Sequence, residues 1–227
     1  MNINKHLILL FSVLFFLFAV SVSSGCFNKN ESDVKSVVRN ELDQLKNLDS
    51  ETTQKYIPYT ELFPDATENT DLTDEINETF SLFFRKFNYK ISDVIVGSAN
   101  HSATVSVKLT TIDSKVLARD FKEELLRTQI TESAQAQKGN IKDSSRSLEA
   151  HYLILNHLLN TNDYDTAETD CNIQLVNTGN DKKEKWKIQR TNSLEDDLVG
   201  GLIADLADPD ILSPEDTLTV YLDTLEK

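Results

Sequence analysis

Apolar residues recur along this chain at two spacings, and the places where one gives way to the other outline a fold. Val34, Val37, Val38, Leu42, Leu45 and Leu48 fall three or four apart, which sets them on one face of a helix, and Ser32 stands where a capping side chain would start it. Residues 49–70 carry Pro58 and Pro64 among scattered Tyr56, Ile57, Tyr59, Leu62 and Phe63, which predicts a loop or broken helix lying against the body of the domain. Leu72, Ile76, Phe80, Phe83, Phe84 and Phe87 restore the helical interval and predict a second helix over 72–87. The period then drops to two. Residues 89–96 alternate, and in 102–112 Ala103, Val105, Val107 and Leu109 oppose Thr104, Ser106, Lys108 and Thr110, the pattern of a strand with one buried face. Gly97-Ser98-Ala99-Asn100 supplies the hairpin loop between them.

The helical period returns after Asp113, a capping residue, with Val116, Leu117, Phe121, Leu125 and Thr128. Gly139-Asn140 interrupts it before a fourth amphipathic helix from about Ser147 to Leu159, which carries His151 and His157. A second hairpin follows: residues 164–177 place Ala167, Cys171, Ile173 and Leu175 against polar neighbours, Thr178-Gly179-Asn180-Asp181 turns, and 184–190 sets Trp186 and Ile188 on one face. Leu194, Leu198, Leu202 and Leu206 then predict a helix over 194–207, which Asp208-Pro209-Asp210 ends. Ser213-Pro214-Glu215-Asp216 combines an N-cap, a proline at the first helical position and acids in the first turn, and so opens a last helix over 214–226 with Leu218, Tyr221, Leu222 and Leu225. The fold class expected is α+β, with helices packed on a curved antiparallel sheet of about four strands and C-terminal helices beyond it.

The N-terminus keeps neither period. Lys5 is followed by an uncharged apolar run from Leu7 to Val20 that dissolves into Ser21, Ser23 and Ser24 before reaching the roughly 20 residues a spanning helix needs. This is the layout of a secretory signal peptide. Small residues lead into a cysteine, Val22-Ser23-Ser24-Gly25-Cys26, and the stretch resembles the lipobox of bacterial lipoproteins. Gly25 and Ser24 match its small positions, while Ser23 stands where the pattern has leucine or another aliphatic residue. The resemblance implies cleavage after Gly25 and a diacylglyceryl group on Cys26, with acyl chains of the palmitate kind. The mature chain would then be exported and anchored to the outer face of the cell membrane, with residues 26–31 as a polar tether.

Composition narrows the partners. Acidic residues outnumber basic ones 37 to 23, so the chain carries a formal charge of −14, and removing Lys5 with the signal would take it to −15. Such a surface repels nucleic acid, and no nucleic-acid partner is expected. With Cys26 lipidated, Cys171 is the remaining cysteine, so no internal disulfide forms. Cys171 shares a strand face with Thr169, Ile173 and Leu175 and has no activating base nearby in sequence, which predicts a buried apolar side chain and no nucleophile.

The segments Phe87-Asn88-Tyr89-Lys90-Ile91, Ala103-Thr104-Val105-Ser106-Val107 running to Thr110-Thr111-Ile112-Asp113, and Trp186-Lys187-Ile188 sit in an order of two helices, hairpin, two helices and hairpin. In that order they resemble the NTF2-like, or cystatin-like, domains of small lipoproteins of Gram-positive bacteria. The resemblance covers residues 32–190 and leaves 191–227 as a C-terminal helical extension. It implies a cone between sheet and helices, where Phe80, Phe84, Phe87, Tyr152 and Trp186 would either line an apolar pocket or fill the core.

Chemistry is sparse by comparison. His151 and His157 are six apart, on different helix faces, and with His101 they offer no metal set. Asn162-Asp163-Tyr164-Asp165 with Glu168 and Asp170 lacks the glycine and the register of a calcium loop. Gly200-Gly201 has no lysine–serine or lysine–threonine pair to make a phosphate loop, and neither a Gly-x-Ser-x-Gly elbow nor a His-Glu-x-x-His helix occurs. No catalytic residue, metal site or cofactor is therefore assigned. The leading expectation is a membrane-anchored binding module for a small apolar ligand or an envelope protein. The alternatives are a structural or accessory subunit that docks through helices 194–207 and 214–226, and an enzyme with a site in the cone.

Overall fold

A computed structural model describes residues 29–57, 62–64, 66, 72–97, 101–136, 146–179 and 185–225. The signal segment, Gly25, Cys26, Gly139-Asn140 and the turn residues 180–184 lie outside the described residues. Helix α1 (Lys29–Lys46) already begins within the expected tether, ahead of Ser32. It buries Val34, Val38, Leu42 and Leu45, the stripe its spacing foretells. Its end is a left-handed cap: Leu48 takes φ 61°, Leu48 N–H donates to Leu45 O (3.0 Å) and Asp49 N–H to Gln44 O (2.9 Å). Asp49 then caps α2 (Ser50–Tyr56) by accepting from Thr52 N–H at 2.9 Å. α3 (Thr73–Phe84) follows.

Among the described residues, four strands make one antiparallel sheet in the order β1-β2-β3-β4. They are β1 (Asn88–Val96), β2 (Ser102–Ile112), β3 (Thr166–Asn177) and β4 (Trp186–Ile188). A bulge between Ile91 and Asp93 lets Ile91 and Val94, three apart, both turn toward the core. In the central pair Val105 faces Ile173, Val107 faces Cys171 and Ala103 faces Leu175, and all six are buried. The alternate positions of β3, from Thr166 through Gln174, are exposed. On that open face Lys108 donates to Glu168 at 3.0 Å and Ser106 to Asn172 at 2.9 Å. The molecule is thus an α+β fold with its helices gathered on one side of the sheet.

Helix α1 packs on β1, β2 and β4, and Tyr89 OH ties it to β1 by donating to Asp43 Oδ1 at 2.6 Å. Between β2 and β3 the chain forms α4 (Ser114–Ala136) and α5 (Leu148–Thr161). Ser147 caps α5 by accepting from Ala150 N–H. α5 lies against α3, and a buried polar contact joins them: the Thr79 hydroxyl shares its proton between Asn156 Oδ1 and the Glu75 carbonyl, while Asn156 Nδ2 donates to Glu75 O at 3.3 Å.

The expected single helix over 194–207 is two: α6 (Asn192–Leu198), capped by Thr191, and α7 (Leu202–Ala207). Gly200 and Gly201 separate them at φ 67° and 91°, a conformation that favours glycine. Gly200 also presses on the sheet, where a Cβ would stand 2.2 Å from Thr111 Oγ1. Leu194, Leu198, Val199, Leu202 and Leu206 all enter the main core, so this part of the C-terminal segment is built into the domain. α8 (Pro214–Leu225) differs, burying Val220 and exposing Leu218, Tyr221, Leu222 and Leu225. Among the described residues, no helix is long and apolar enough to cross a membrane.

Candidate binding cleft

Four stretches of chain converge on a cleft of about 470 Å³, within the range typical of small-molecule sites. α4 contributes Phe121, Leu125 and Gln129, spaced i, i+4, i+8 along one line, with Lys122 beside them. α7 adds Ile203, Leu206 and Ala207, again one helix face. The segment after α2 supplies Leu62 and Phe63, and the start of α5 supplies Arg146 and His151.

Local chemistry holds each wall in place. Asp113 Oδ1 accepts from Val116 N–H to start α4, and Tyr164 OH donates to Asp120 Oδ2 at 3.0 Å to fix its outer side. The buried Ser114 hydroxyl lies within donating distance of Gly200 O (2.6 Å) and Asp205 Oδ2 (2.7 Å), which pins α7 across the start of α4. The floor is aromatic. Phe63 stacks on Phe121 with centroids 5.1 Å apart, and His151 closes the group at 4.8 Å from Phe63 and 5.6 Å from Phe121. Phe63 and Phe121 are both buried.

The described charged residues of the cleft's lining are basic. Its described lining carries Lys122, half-buried, and Arg146, exposed, and no aspartate or glutamate. The neighbouring acid Glu123 points elsewhere on α4 and lies 3.9 Å from Arg119. The arrangement offers an apolar floor with polar side chains at its border.

The five side chains proposed for the cone divide into three places. Phe80, Phe84 and Phe87 form a chain of ring contacts at 6.3 and 5.2 Å. Tyr152 is buried behind the cleft, edge-on to Phe63 at 5.5 Å, and Trp186 is buried on β4. None of the five lines the cleft. His101 and His157 are exposed, and among the described residues no group of three or more His, Cys, Asp or Glu could hold a metal ion. Cys171 is buried, and burial, followed by the nearby Asp197 carboxylate, pushes its thiol well above the ordinary range, so it carries no thiolate.

Sequence reasoning recognised Leu62, Phe63, Phe121, Leu125 and Leu206 as apolar positions without joining them. The one local signal was the Phe121-Leu125-Gln129 line, which runs from apolar to polar along a single helix face. Compared with protein families, with curated proteins and with solved structures, the chain matches none.

Proposed function

We propose that this chain is an exported, lipid-anchored binding module of NTF2-like architecture that holds a small apolar ligand in the cleft between α4, α5, α7 and Phe63. The observation that carries the reading is the cleft itself: a concave, aromatic-floored space bordered by a few polar groups. The helices gathered on one face of a four-stranded antiparallel sheet support the NTF2-like assignment. The apolar leader and the Ser24-Gly25-Cys26 sequence support export and lipidation, with two acyl chains for lasting attachment where one would hold only marginally. Filling the space tests binding: Leu125→Trp, on a half-buried helix position, should leave thermal unfolding nearly unchanged while abolishing ligand adducts in native mass spectra of protein released from its own membranes. Adducts that persist in this variant would overturn the cleft as the site.

A second reading, docking of a helical envelope partner, is favoured by α8. Leu218, Tyr221, Leu222 and Leu225 lie at i, i+3, i+4 and i+7 and are each about half exposed, and the helix carries Glu215, Asp216 and Asp223 with no base. That pattern fits an amphipathic helix with a basic rim, and like charge disfavours a second copy of this chain. A leucine–lysine helical peptide should bind saturably and a leucine–glutamate counterpart should not, with Leu222→Asp removing the difference. Equal binding of both peptides would reject it.

A further inference from the structure

We infer that the open edge of β1 takes an extended acidic peptide, which pairs its backbone with the strand and sets its acid side chains against α1. β1 stands at the end of the sheet, its nine residues bonded to β2 on one side, and among the described residues no hydrogen bond reaches its outer backbone groups. Unpaired N–H and C=O groups in a row are a template for one more strand. The opposite edge, β4, is three residues long and offers no such length.

A groove of about 340 Å³ runs beside the β1 edge, walled on one side by Lys35, Arg39, Asp43 and Lys46, a single line along α1, and on the other by Asn88, Tyr89 and Ile91. Both walls are described without a break, from Asn30 to Asp49 and from Asp74 to Gly97, and their lining holds one acid, Asp43. One of its oxygens already accepts from Tyr89 OH at 2.6 Å. Glu41 pairs with Lys55, and Asp93, in register with Ser106, belongs to the open face of the sheet. Among the described residues Lys35 and Arg39 form no ion pair, and Lys46 donates to the neutral Asn88 side chain at 3.0 Å. Edge and groove together select the occupant. The edge holds any extended backbone, and the bases decide which strand stays. A lipid headgroup or free phosphate would use the bases and leave the edge bare. A second copy of this chain would bring another Lys35, Arg39 and Lys46 up to the first set, and like charges oppose that pairing.

The test uses the full chain purified from membranes into nanodiscs of neutral lipid, with empty nanodiscs as the blank. A short peptide alternating glutamate with valine, its lysine–valine counterpart and inorganic phosphate are titrated by calorimetry. The glutamate peptide should bind at a single saturable site about tenfold or more tighter than the lysine peptide. Strand addition uses one edge of the peptide, so N-methylation of one alternate set of its backbone nitrogens should abolish binding while methylation of the other set leaves it intact. Lys35→Gln combined with Arg39→Gln should erase the preference for glutamate and leave the unfolding midpoint nearly unchanged. If both methylated peptides bind as the parent does, the strand addition is overturned; equal binding of the glutamate and lysine peptides overturns the charge selection. Phosphate binding without peptide binding would make the groove a phosphate site, and absence of binding by all three would leave no site there; either result overturns the inference.

Discussion

Cys171 and Asp197 meet where α6 lies over β3. Burial raises the Asp197 carboxyl above its ordinary range, the adjacent Asp196 raises it further, and its hydrogen bond with Cys171 pulls it partly back. The folded state therefore holds a proton more tightly at this group than the unfolded chain, whose carboxyl titrates near 4. Stability contributed by that proton is full below the unfolded value and is lost as pH rises through the folded one. Asp197→Asn removes this loss, so thermal melts across mildly acidic to neutral pH should show the variant gaining on the native protein as pH rises. The gain should stay below about 1 kcal/mol, because much of the group remains in water. A variant that melts lower than the native protein at neutral pH would contradict the assignment. The burial of Cys171 was legible in the alternation of its strand, whereas the acid beside it, 26 positions further along, was not, because α6 reaches β3 only once the domain has folded.

The turn between α6 and α7 shows the same limit at the level of elements. Leu194, Leu198, Leu202 and Leu206 keep an unbroken i, i+4 interval, and every one is buried, so the spacing reports which residues enter the core while staying silent on the break between them. Two glycines side by side were the available signal for that break. Their costs on substitution should differ. Gly201→Ala meets nothing nearer than 3.6 Å and adds only the strain of a left-handed alanine, about 1–2 kcal/mol. Gly200→Ala adds to this a collision with Thr111 in the core and should cost roughly 3 kcal/mol or more. Denaturant unfolding of the two variants measures the gap, and equal losses would mean that the close approach to β2 is not maintained. α4 is a second instance. The apolar line that foretold it fades near Thr128, yet the helix runs to Ala136, where α8 packs along it. The cleft was hidden for a related reason, since Phe63, Phe121 and Ile203 come from distant parts of the chain and meet only in the assembled fold.

Taken whole, the domain has a helical side that contains the cleft, an exposed polar sheet face and an acidic surface, and the proposed leader would end at Gly25, leaving Cys26 as the first mature residue. Cys26→Ala should abolish incorporation of labelled palmitate while leaving the folded domain's melting behaviour intact; continued labelling would place any acylation elsewhere and reject the anchor. With the proposed anchor at Cys26, the early start of α1 would set a leash length. Phe27 and Asn28 separate Cys26 from Lys29 in the sequence, and three residue steps can reach at most about 10 Å. With Cys26 held at the bilayer surface, the domain would ride within roughly the distance at which physiological salt screens charge, about 8 Å. Its acidic surface would then be pushed away from anionic headgroups while the leash holds it close, a balance that added salt relaxes toward the membrane. A domain tethered in the proposed way would sample molecules leaving or entering the lipid far more often than those in the open medium.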